Sequence, residues 1–333
     1  MVKVSFAETK VLREALNSNN PWEVAGEVRL AFPEYVRTLK KLARKNLLTM
    51  KPGKLSLTPK GRSLARSLKL RPRREIDLAI KKARKEFTRI SQNRPGSIST
   101  FDQGFMTVES VFNRLELMAG MGDLDGKRIA ILGDDDLLSI AICLACKPEQ
   151  VTVFEIDERL VEFILDIATR RGFPIDSRCF DLREPLPQKL MGKYETFASD
   201  PSETLAGLKM FIGRGLFLLK PGEGGAAYFG LTSIEASNAK WAKLERWLLN
   251  RYELAITHIL PQNAYYHNWP DLIPQTTCFR LDCLKQEPAS LWFNSSLIRL
   301  ETLEAFKPRS MGRITSPIFN DEEACGIIGQ EGT

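Results

Sequence analysis

The sequence predicts an α/β protein in two parts, a doubly wound sheet domain and a smaller N-terminal domain. Beyond residue 105, short apolar runs alternate with helical patterns, which is typical of a mostly parallel sheet covered by helices. Before residue 72, three helical patterns are followed by a hairpin pattern. Residues 1–75 carry 18 basic and 6 acidic side chains, a net charge of +12, whereas the other 258 residues carry a net −5. This asymmetry indicates two parts with different tasks.

The larger part is predicted as a Rossmann-like domain. Its apolar runs predict strands over 128–132, 151–156, 175–180, 195–199, 226–231, 253–260 and 291–300. Helical patterns lie between them over 137–146, 158–171, 203–218 and 234–250. In such a sheet, ligands bind at the carboxyl ends of the strands.

The N-terminal part is predicted as a winged helix. Helices are expected over 9–17, 21–29 and 33–48, followed by a strand, a Lys-Pro-Gly turn, a second strand and a helix within 48–68. Five basic residues of the third helix share one face: Arg37, Lys40, Lys41, Arg44 and Lys45. Two interpretations stay open, a helix that faces nucleic acid and a solvated basic face on a packing or dimerisation module.

The predicted boundaries are a winged-helix domain over 1–72, a connecting helix and linker over 73–100, a Rossmann-like domain over 101–307, and a Gly-rich, acidic and potentially mobile tail over 308–333. The attached winged helix leads us to expect a homodimer.

Composition excludes several classes of protein. The chain is 43% apolar and 27% charged, as in soluble globular proteins. No long apolar run predicts a membrane span, and no signal-peptide pattern is present, so we expect a cytoplasmic protein. The six cysteines form no disulfide framework, and the Cys143–Cys146 pair lies in an apolar helix, where core thiols are expected.

Acidic residues stand at the ends of four predicted strands. The first strand ends at Gly133, followed by three aspartates, and the second ends at Glu155 with Asp157 beyond it. The third and fourth end at Asp181 and Asp200. One such acid could cap a helix, but three in a row exceed what a cap needs. A carboxylate that ends the second strand is well placed to bind the ribose of an adenosine, so the layout resembles class I S-adenosylmethionine-dependent transferases.

The acidic turn after the first strand favours a cationic ligand, since it would repel a phosphate or a carboxylate. Decarboxylated S-adenosylmethionine fits this requirement, because it carries a sulfonium and an ammonium group but no carboxylate. A polyamine acceptor is cationic too, and an acidic cleft would concentrate it. Aminopropyl transfer also needs a base, because a protonated amine has no lone pair.

Eight motifs together resemble the branched-chain polyamine synthase family, which makes N4-bis(aminopropyl)spermidine in thermophilic archaea and bacteria. They are FDQGFMT (101–107), GDDDL (133–137), EIDER (155–159), FDLREPLP (180–187), SDPSET (199–204), FIGRG (211–215), YFGLT (228–232) and FNDEE (319–323). The resemblance spans nearly the whole chain. One departure is Ser202, which replaces the second proline of the usual Asp-Pro-Pro-Glu-Thr.

The resemblance implies an aminopropyltransferase that acts on the internal amine of spermidine. We expect Asp135 to be the base, with Asp134 and Asp136 holding an ammonium or ordering the turn. Donor binding is expected from Gly133, Glu155 (ribose), Asp157, Asp181 (adenine amine) and Leu182, and polyamine binding from Asp102, Gln103, Asp200 and Glu203. Decarboxylated S-adenosylmethionine is expected as co-substrate, with no metal and no tightly bound cofactor.

An alternative is an amino-methyltransferase that acts on nucleic acid, since SDPSET resembles the Asp-Pro-Pro-Tyr turn that orients an exocyclic amine. Glu203 stands where an aromatic side chain would stack on a flipped base. Three acids would also repel a phosphate chain, so a nucleic-acid substrate is not expected. A regulator that senses polyamine is a third hypothesis. The choice between methyl and decarboxylated donors separates the two enzymes.

Overall fold

The computed structural model describes residues 3–268, 283, 286 and 288–324. Two of the six cysteines, Cys278 and Cys325, and the end of the predicted tail lie outside these residues. Cys143 and Cys146 are free thiols in a helix of the body. No helix in these ranges is both long and apolar enough to cross a bilayer.

The N-terminal elements begin at local capping signals. Ser5 and Glu8 form a capping box, Asn20 and Thr58 cap two other helices, and proline occupies the first or second position of three of the four helices. The elements are α1 (Phe6–Glu14), α2 (Pro21–Glu27), α3 (Phe32–Arg44), β1 (Leu48–Lys51), β2 (Lys54–Leu57) and α4 (Pro59–Ser67). Strands β1 and β2 form an antiparallel hairpin, so the predicted order of elements is present.

A seven-stranded sheet forms the body. Its strands are β3 (Arg128–Leu132), β4 (Gln150–Glu155), β5 (Ile175–Cys179), β6 (Thr196–Ser199), β7 (Ala226–Leu231), β8 (Leu254–Tyr265) and β9 (Asn294–Thr302). The order is β5-β4-β3-β6-β7-β9-β8, and β9 runs opposite to the other six strands. The predicted Rossmann-like fold is therefore confirmed. The strand order reverses between β3 and β6, where such folds place ligands.

Helices cover both faces of the sheet. They are α5 (Arg73–Ser91), α6 (Val108–Gly120), α7 (Leu138–Ala145), α8 (Glu158–Arg171), α9 (Leu205–Leu218) and α10 (Asn238–Arg251). One apolar core lies under α5 to α8 and the other under α9 and α10. The sequence analysis did not predict α6, whose first turn is capped by Thr107.

The predicted connecting helix packs into the body. Ile76, Ile80 and Phe87 of α5 are buried in the same apolar core as α6 and α7. The N-terminal elements have their own apolar core. They contact the body through ion pairs, such as Lys10–Glu301 at 2.9 Å.

Candidate active site

The turn after β3 has a backbone that few sequences allow. Gly133 has φ of +74°, which favours glycine, and Leu137 has φ of +58°. Between them, Asp134 is only 1% exposed, and both of its carboxylate oxygens lie 3.3 Å from the Ser139 N–H at the start of α7. Burial raises the pKa of Asp134 to about 8. Asp134 therefore orders the turn.

Asp136 also points into the protein. One carboxylate oxygen accepts a 2.6 Å hydrogen bond from the Met106 N–H. The other is buried without a hydrogen-bond partner in the described part of the chain. Burial and the nearby Asp200 carboxylate raise the pKa of Asp136 to about 7, although Arg114 opposes the shift.

Asp135 is the aspartate of this turn that lines a pocket. Burial, followed by repulsion from Asp136 and Glu155, raises its pKa well above the usual value. Arg94 donates a 2.7 Å hydrogen bond to the Asp135 carbonyl, and its guanidinium lies 3.4 Å from the centre of the Phe105 ring. Arg94 thus holds the backbone of the residue that faces the pocket, and places one positive charge beside the acidic turn.

Glu155 fixes the end of β4 against the same turn. Its carboxylate accepts hydrogen bonds from three backbone N–H groups, those of Asp134, Ile156 and Asp157, at 2.8–2.9 Å. Asp157 itself caps α8 and pairs with Arg159. Glu155 lines the pocket, whereas Asp157 does not. Of these two predicted donor ligands, only Glu155 is therefore in position to contact a ligand.

The pocket lies at the carboxyl ends of β3, β4, β5 and β6 and has about 550 Å³ of empty space, part of it open to solvent. Eight of the predicted residues line it: Asp102, Gln103, Gly133, Asp135, Glu155, Asp181, Leu182 and Asp200. Its apolar wall comes from Phe101, Phe154, Ile156, Phe180, Met210, Phe211, Ile318 and Phe319. The site therefore combines apolar surface for a flat ring with acidic groups.

Asp200, at the end of β6, belongs to a buried network. Arg114 of α6 donates to one carboxylate oxygen at 3.0 Å, and the Tyr266 hydroxyl donates to the other at 2.5 Å. Gly230 in the neighbouring strand makes room, since a Cβ there would lie 2.0 Å from the Asp200 oxygen. These contacts fix the position of the Asp200 carboxylate at the edge of the pocket.

Further carboxylates lie beyond Asp200. Burial, followed by repulsion from Glu235 and Asp200, raises the pKa of Asp102 well above its usual value. Burial, followed by repulsion from Glu235 and Asp102, also raises the pKa of Glu203 well above its usual value. Glu203 does not line the pocket. Such groups repel one another in the free protein, so a bound cation would stabilise all of them.

The electrostatic character of the site follows from this inventory. Acids outnumber cations around the pocket, and the cations nearest to it, Arg94, Arg114 and Arg183, already bind protein groups. Within the described ranges, no group of three or more His, Cys, Asp or Glu side chains is arranged to hold a metal ion. The arrangement can bind an organic cation, and Asp135 can accept a proton from it.

Comparison with known proteins gives the family. The profile described as "Branched-chain polyamine synthase A C-terminal domain" matches residues 82–325. This chain belongs to the branched-chain polyamine synthase family. The N(4)-bis(aminopropyl)spermidine synthase of Thermococcus kodakarensis is 34% identical over 94% of this chain and 93% of that protein. The enzyme of the same name from Methanocaldococcus jannaschii is 34% identical over 88% of this chain and 87% of that protein.

A solved structure of a polyamine synthase also matches. The crystal structure of the branched-chain polyamine synthase from Thermus thermophilus, in complex with N4-aminopropylspermidine and 5'-methylthioadenosine, superposes with a TM-score of 0.68. It is 34% identical and covers 97% of this chain and 94% of that one. Family and fold therefore agree with the sequence-based expectations.

Sequence analysis of this polyamine synthase missed several residues around the site. Arg94 follows the end of α5 in a segment read only as a linker, and Arg114 lies in a helix that was not predicted. Tyr266 follows the edge strand β8. The segment after Pro308 was assigned as a tail, but Ile318 accepts hydrogen bonds from Ser202 and Thr204 at 2.6 and 2.9 Å. Among the motifs of the sequence, FNDEE (319–323), which directly follows Ile318, was the one that could have placed this last segment near the site.

Proposed function

We propose that this chain transfers an aminopropyl group from decarboxylated S-adenosylmethionine to the internal secondary amine of spermidine. It is an aminopropyltransferase, and the products are a branched polyamine and methylthioadenosine. The observation that supports this most directly is the excess of carboxylates around the pocket, with Asp135 facing the cavity. A donor with its own carboxylate would meet repulsion there, whereas the decarboxylated donor is cationic throughout.

The residue roles follow from the contacts. Glu155 already accepts three backbone N–H groups, which leaves about one lone-pair site, on Oε2, for the donor's ribose hydroxyls. Phe154, Ile156 and Phe180 provide apolar surface for the adenine. Asp181, which accepts hydrogen bonds from Arg183, keeps a position at the pocket wall for the adenine amine.

On the acceptor side, we assign the ammonium groups of spermidine to the carboxylates that lie beyond Asp135, namely Asp102, Asp200 and Glu203. The charge balance supports this, because burial and mutual repulsion raise the pKa of both Asp102 and Glu203 in the free protein. Asp136 contributes negative charge from behind the turn, and Asp134 supports the turn backbone.

The chemistry is a direct displacement. Asp135 accepts the proton of the protonated secondary amine, which frees the nitrogen lone pair. That lone pair attacks the methylene carbon next to the sulfonium, a C–N bond forms, and the C–S bond breaks with its electrons going to sulfur. Methylthioadenosine leaves as a neutral thioether. The first transfer leaves a protonated tertiary amine, and this nitrogen must lose its proton before its lone pair attacks a second donor and gives a quaternary ammonium. Positioning and electrostatics assist both transfers.

We also propose the domain boundaries given by the sequence, with a winged-helix domain over 1–72, joined through 73–100 to the catalytic domain over 101–307 and the segment over 308–333. The separate apolar core of the N-terminal elements and their β1–β2 hairpin support the first of these. A homodimer remains part of the proposal and is tested by sedimentation of the purified protein.

Mass analysis of the products tests this function. The enzyme is incubated with spermidine and either decarboxylated or intact S-adenosylmethionine. We expect aminopropyl additions to spermidine with the decarboxylated donor and no methyl addition with the intact one. Putrescine is the control acceptor, because it has no internal amine. Equal turnover of putrescine and spermidine would contradict branching at the internal nitrogen.

A further inference from the structure

Helix α3 presents a basic face that the rest of the chain leaves uncovered. Its opposite side, including Tyr35, Leu39 and Leu42, is buried in the N-terminal apolar core. Four cations of the other side are exposed: Arg37, Lys40, Lys41 and Arg44. Glu34, in the first turn, is the one acidic residue of the helix. The fifth cation of the predicted face, Lys45, is different, because it forms a 2.7 Å ion pair with Glu8.

The β1–β2 hairpin extends the same charge. Lys51 and Lys54 are exposed and lie directly opposite each other across the hairpin. Like charges at such positions destabilise a hairpin. None of the six cations, which we call the basic surface (Arg37, Lys40, Lys41, Arg44, Lys51 and Lys54), forms an ion pair anywhere in the described ranges. Within the described ranges these cations are therefore not neutralised by ion pairs, and their repulsion is reduced by solvent ions or by a bound polyanion.

We propose that the basic surface binds duplex DNA through its phosphates, as an activity separate from aminopropyl transfer. Phosphate chains supply dense negative charge, and an α-helix fits the major groove of B-form DNA. The major groove of A-form RNA is too narrow for one. A second copy of this surface would bring like charges together in a twofold contact, which disfavours it as the partner.

The binding is expected to come mainly from phosphate contacts. Helix α3 contains no Asn or Gln, the side chains that pair with adenine edges, although its Arg and Lys side chains can also contact guanine. The catalytic pocket lies at the carboxyl ends of the sheet strands, and none of its lining residues belongs to the N-terminal elements. DNA binding and catalysis should therefore be separable by mutation.

The experiment measures fluorescence anisotropy of a labelled 25-base-pair duplex in polyamine-free buffer over a series of salt concentrations. The test variant carries Lys40→Gln, Lys41→Gln and Arg44→Gln in the full chain. The control carries Lys81→Gln, Lys82→Gln and Lys85→Gln, exposed lysines of α5 with the same total charge. For the test variant we expect affinity to fall by about 10-fold or more and the slope of log affinity against log salt to flatten by about 3, since each phosphate contact contributes about 0.9 to it.

The control variant should bind DNA within about twofold of the parent, and both variants should keep the parent's aminopropyl transfer rate and thermal midpoint. Equal losses in the two variants would reduce the effect to overall charge and overturn the proposal. It would also fail if duplex RNA bound as tightly as duplex DNA. A third contrary result is a test variant that changes the sedimenting mass while the parent shows no DNA affinity, because the surface would then join copies of the chain.

Discussion

The two ends of the sheet both bury charged side chains, but they balance those charges differently. Near the amino ends of the parallel strands, Arg299 bonds to Asp123 at 3.0 Å and to Glu301 at 3.1 Å, and Lys10 pairs with Glu301. Tyr228 donates a further hydrogen bond to Asp123. We call these five residues the paired network. At the carboxyl ends, by contrast, Asp102, Asp135, Asp136 and Glu203 have raised pKa values, chiefly because of burial.

The difference separates a structural role from a binding role. In the paired network each buried charge has a partner of opposite sign, so its charges are balanced without a ligand. Around the pocket the cations are too few to neutralise the acids. A polyamine carries several positive charges, so a bound polyamine would neutralise the acids that have no cation of the protein beside them.

The largest effect on stability is expected in the paired network. Arg299→Met keeps an unbranched side chain but leaves Asp123 buried without its cation, so the free energy of unfolding should fall by about 3–5 kcal/mol. Urea denaturation monitored by circular dichroism measures it. Arg178→Met is the matched control, because the side chains of the Arg178–Asp176 pair are 38% and 41% exposed, and its loss should be about 0–1 kcal/mol. Similar losses in both variants would show that burial does not distinguish the two pairs.

The largest effect on catalysis is expected at Asp135. Asp135→Asn keeps the shape of the side chain but cannot accept a proton, so turnover should fall by about 10²-fold or more. The rate is measured at saturating spermidine and donor. Asp134→Asn is the control within the same turn, since its side chain bonds to Ser139 and lies outside the pocket wall. Near-normal turnover of Asp135→Asn, together with a collapse in Asp136→Asn or Asp200→Asn, would move the base to that residue.

The excess of buried acids around the pocket predicts an unusual pH dependence of the free energy of unfolding. The folded-state pKa values of Asp134 (about 8) and Asp136 (about 7) lie above their ordinary value of 3.8. The folded protein therefore binds more protons than the unfolded chain in this range, and its stability is lost as pH rises through these values. Thermal or urea denaturation from pH 8.5 to 6.5 should show a gain on the order of 1 kcal/mol. His258 opposes this gain only near the lower end of the window, because its pKa is 6.5 in the unfolded chain and burial lowers it to about 4 in the folded protein.

Two controls sharpen that measurement. Saturating spermidine should flatten the dependence, because bound cations favour the ionised carboxylates and lower their pKa values. The double variant Asp134→Asn, Asp136→Asn should reduce it without ligand, and the part that is left belongs to Asp102, Asp135 and Glu203, whose pKa values are also raised. An unchanged slope in the double variant would assign the pH dependence to other groups.

The smallest effect is expected at Glu155. Glu155→Gln keeps a carbonyl oxygen for the Ile156 and Asp157 N–H groups, but it loses the charge and the acceptor of the Asp134 N–H. The apparent KM for the donor should therefore rise by about 10-fold, with a smaller change in turnover. Steady-state kinetics with the donor as the varied substrate measure both quantities. Asp157→Asn should leave the donor KM unchanged, because Asp157 caps α8 outside the pocket. A fall in turnover at saturating donor would show that Glu155 acts in the chemical step.

The fold could be predicted from local patterns because strands and helices depend mainly on nearby residues. Apolar runs located all seven strands of the body to within a few residues, except that β8 extends to Tyr265 and β9 begins at Asn294. Helix α6 was missed, although Thr107 caps it, because no strand precedes it in the alternating pattern. Most of the predicted site residues stand at strand ends, and most of those line one pocket for that reason, whereas Asp102 and Gln103 reach it from the loop before α6.

The sequence by itself determined the Rossmann-like body, the basic N-terminal part, the family and the concentration of acids at the strand ends, because each of these is recorded in local pattern or in motif. Only the tertiary structure decided which acid faces the ligand. The direction of Asp134, Asp135 and Asp136 depends on the positive φ of Gly133 and Leu137, and three neighbouring residues thus face three environments. Their charge balance depends on Arg94 and Arg114, which are distant in sequence and are brought to the site by packing of α5 and α6. Electrostatic interaction depends on distance in space, and no local pattern of residues encodes that distance.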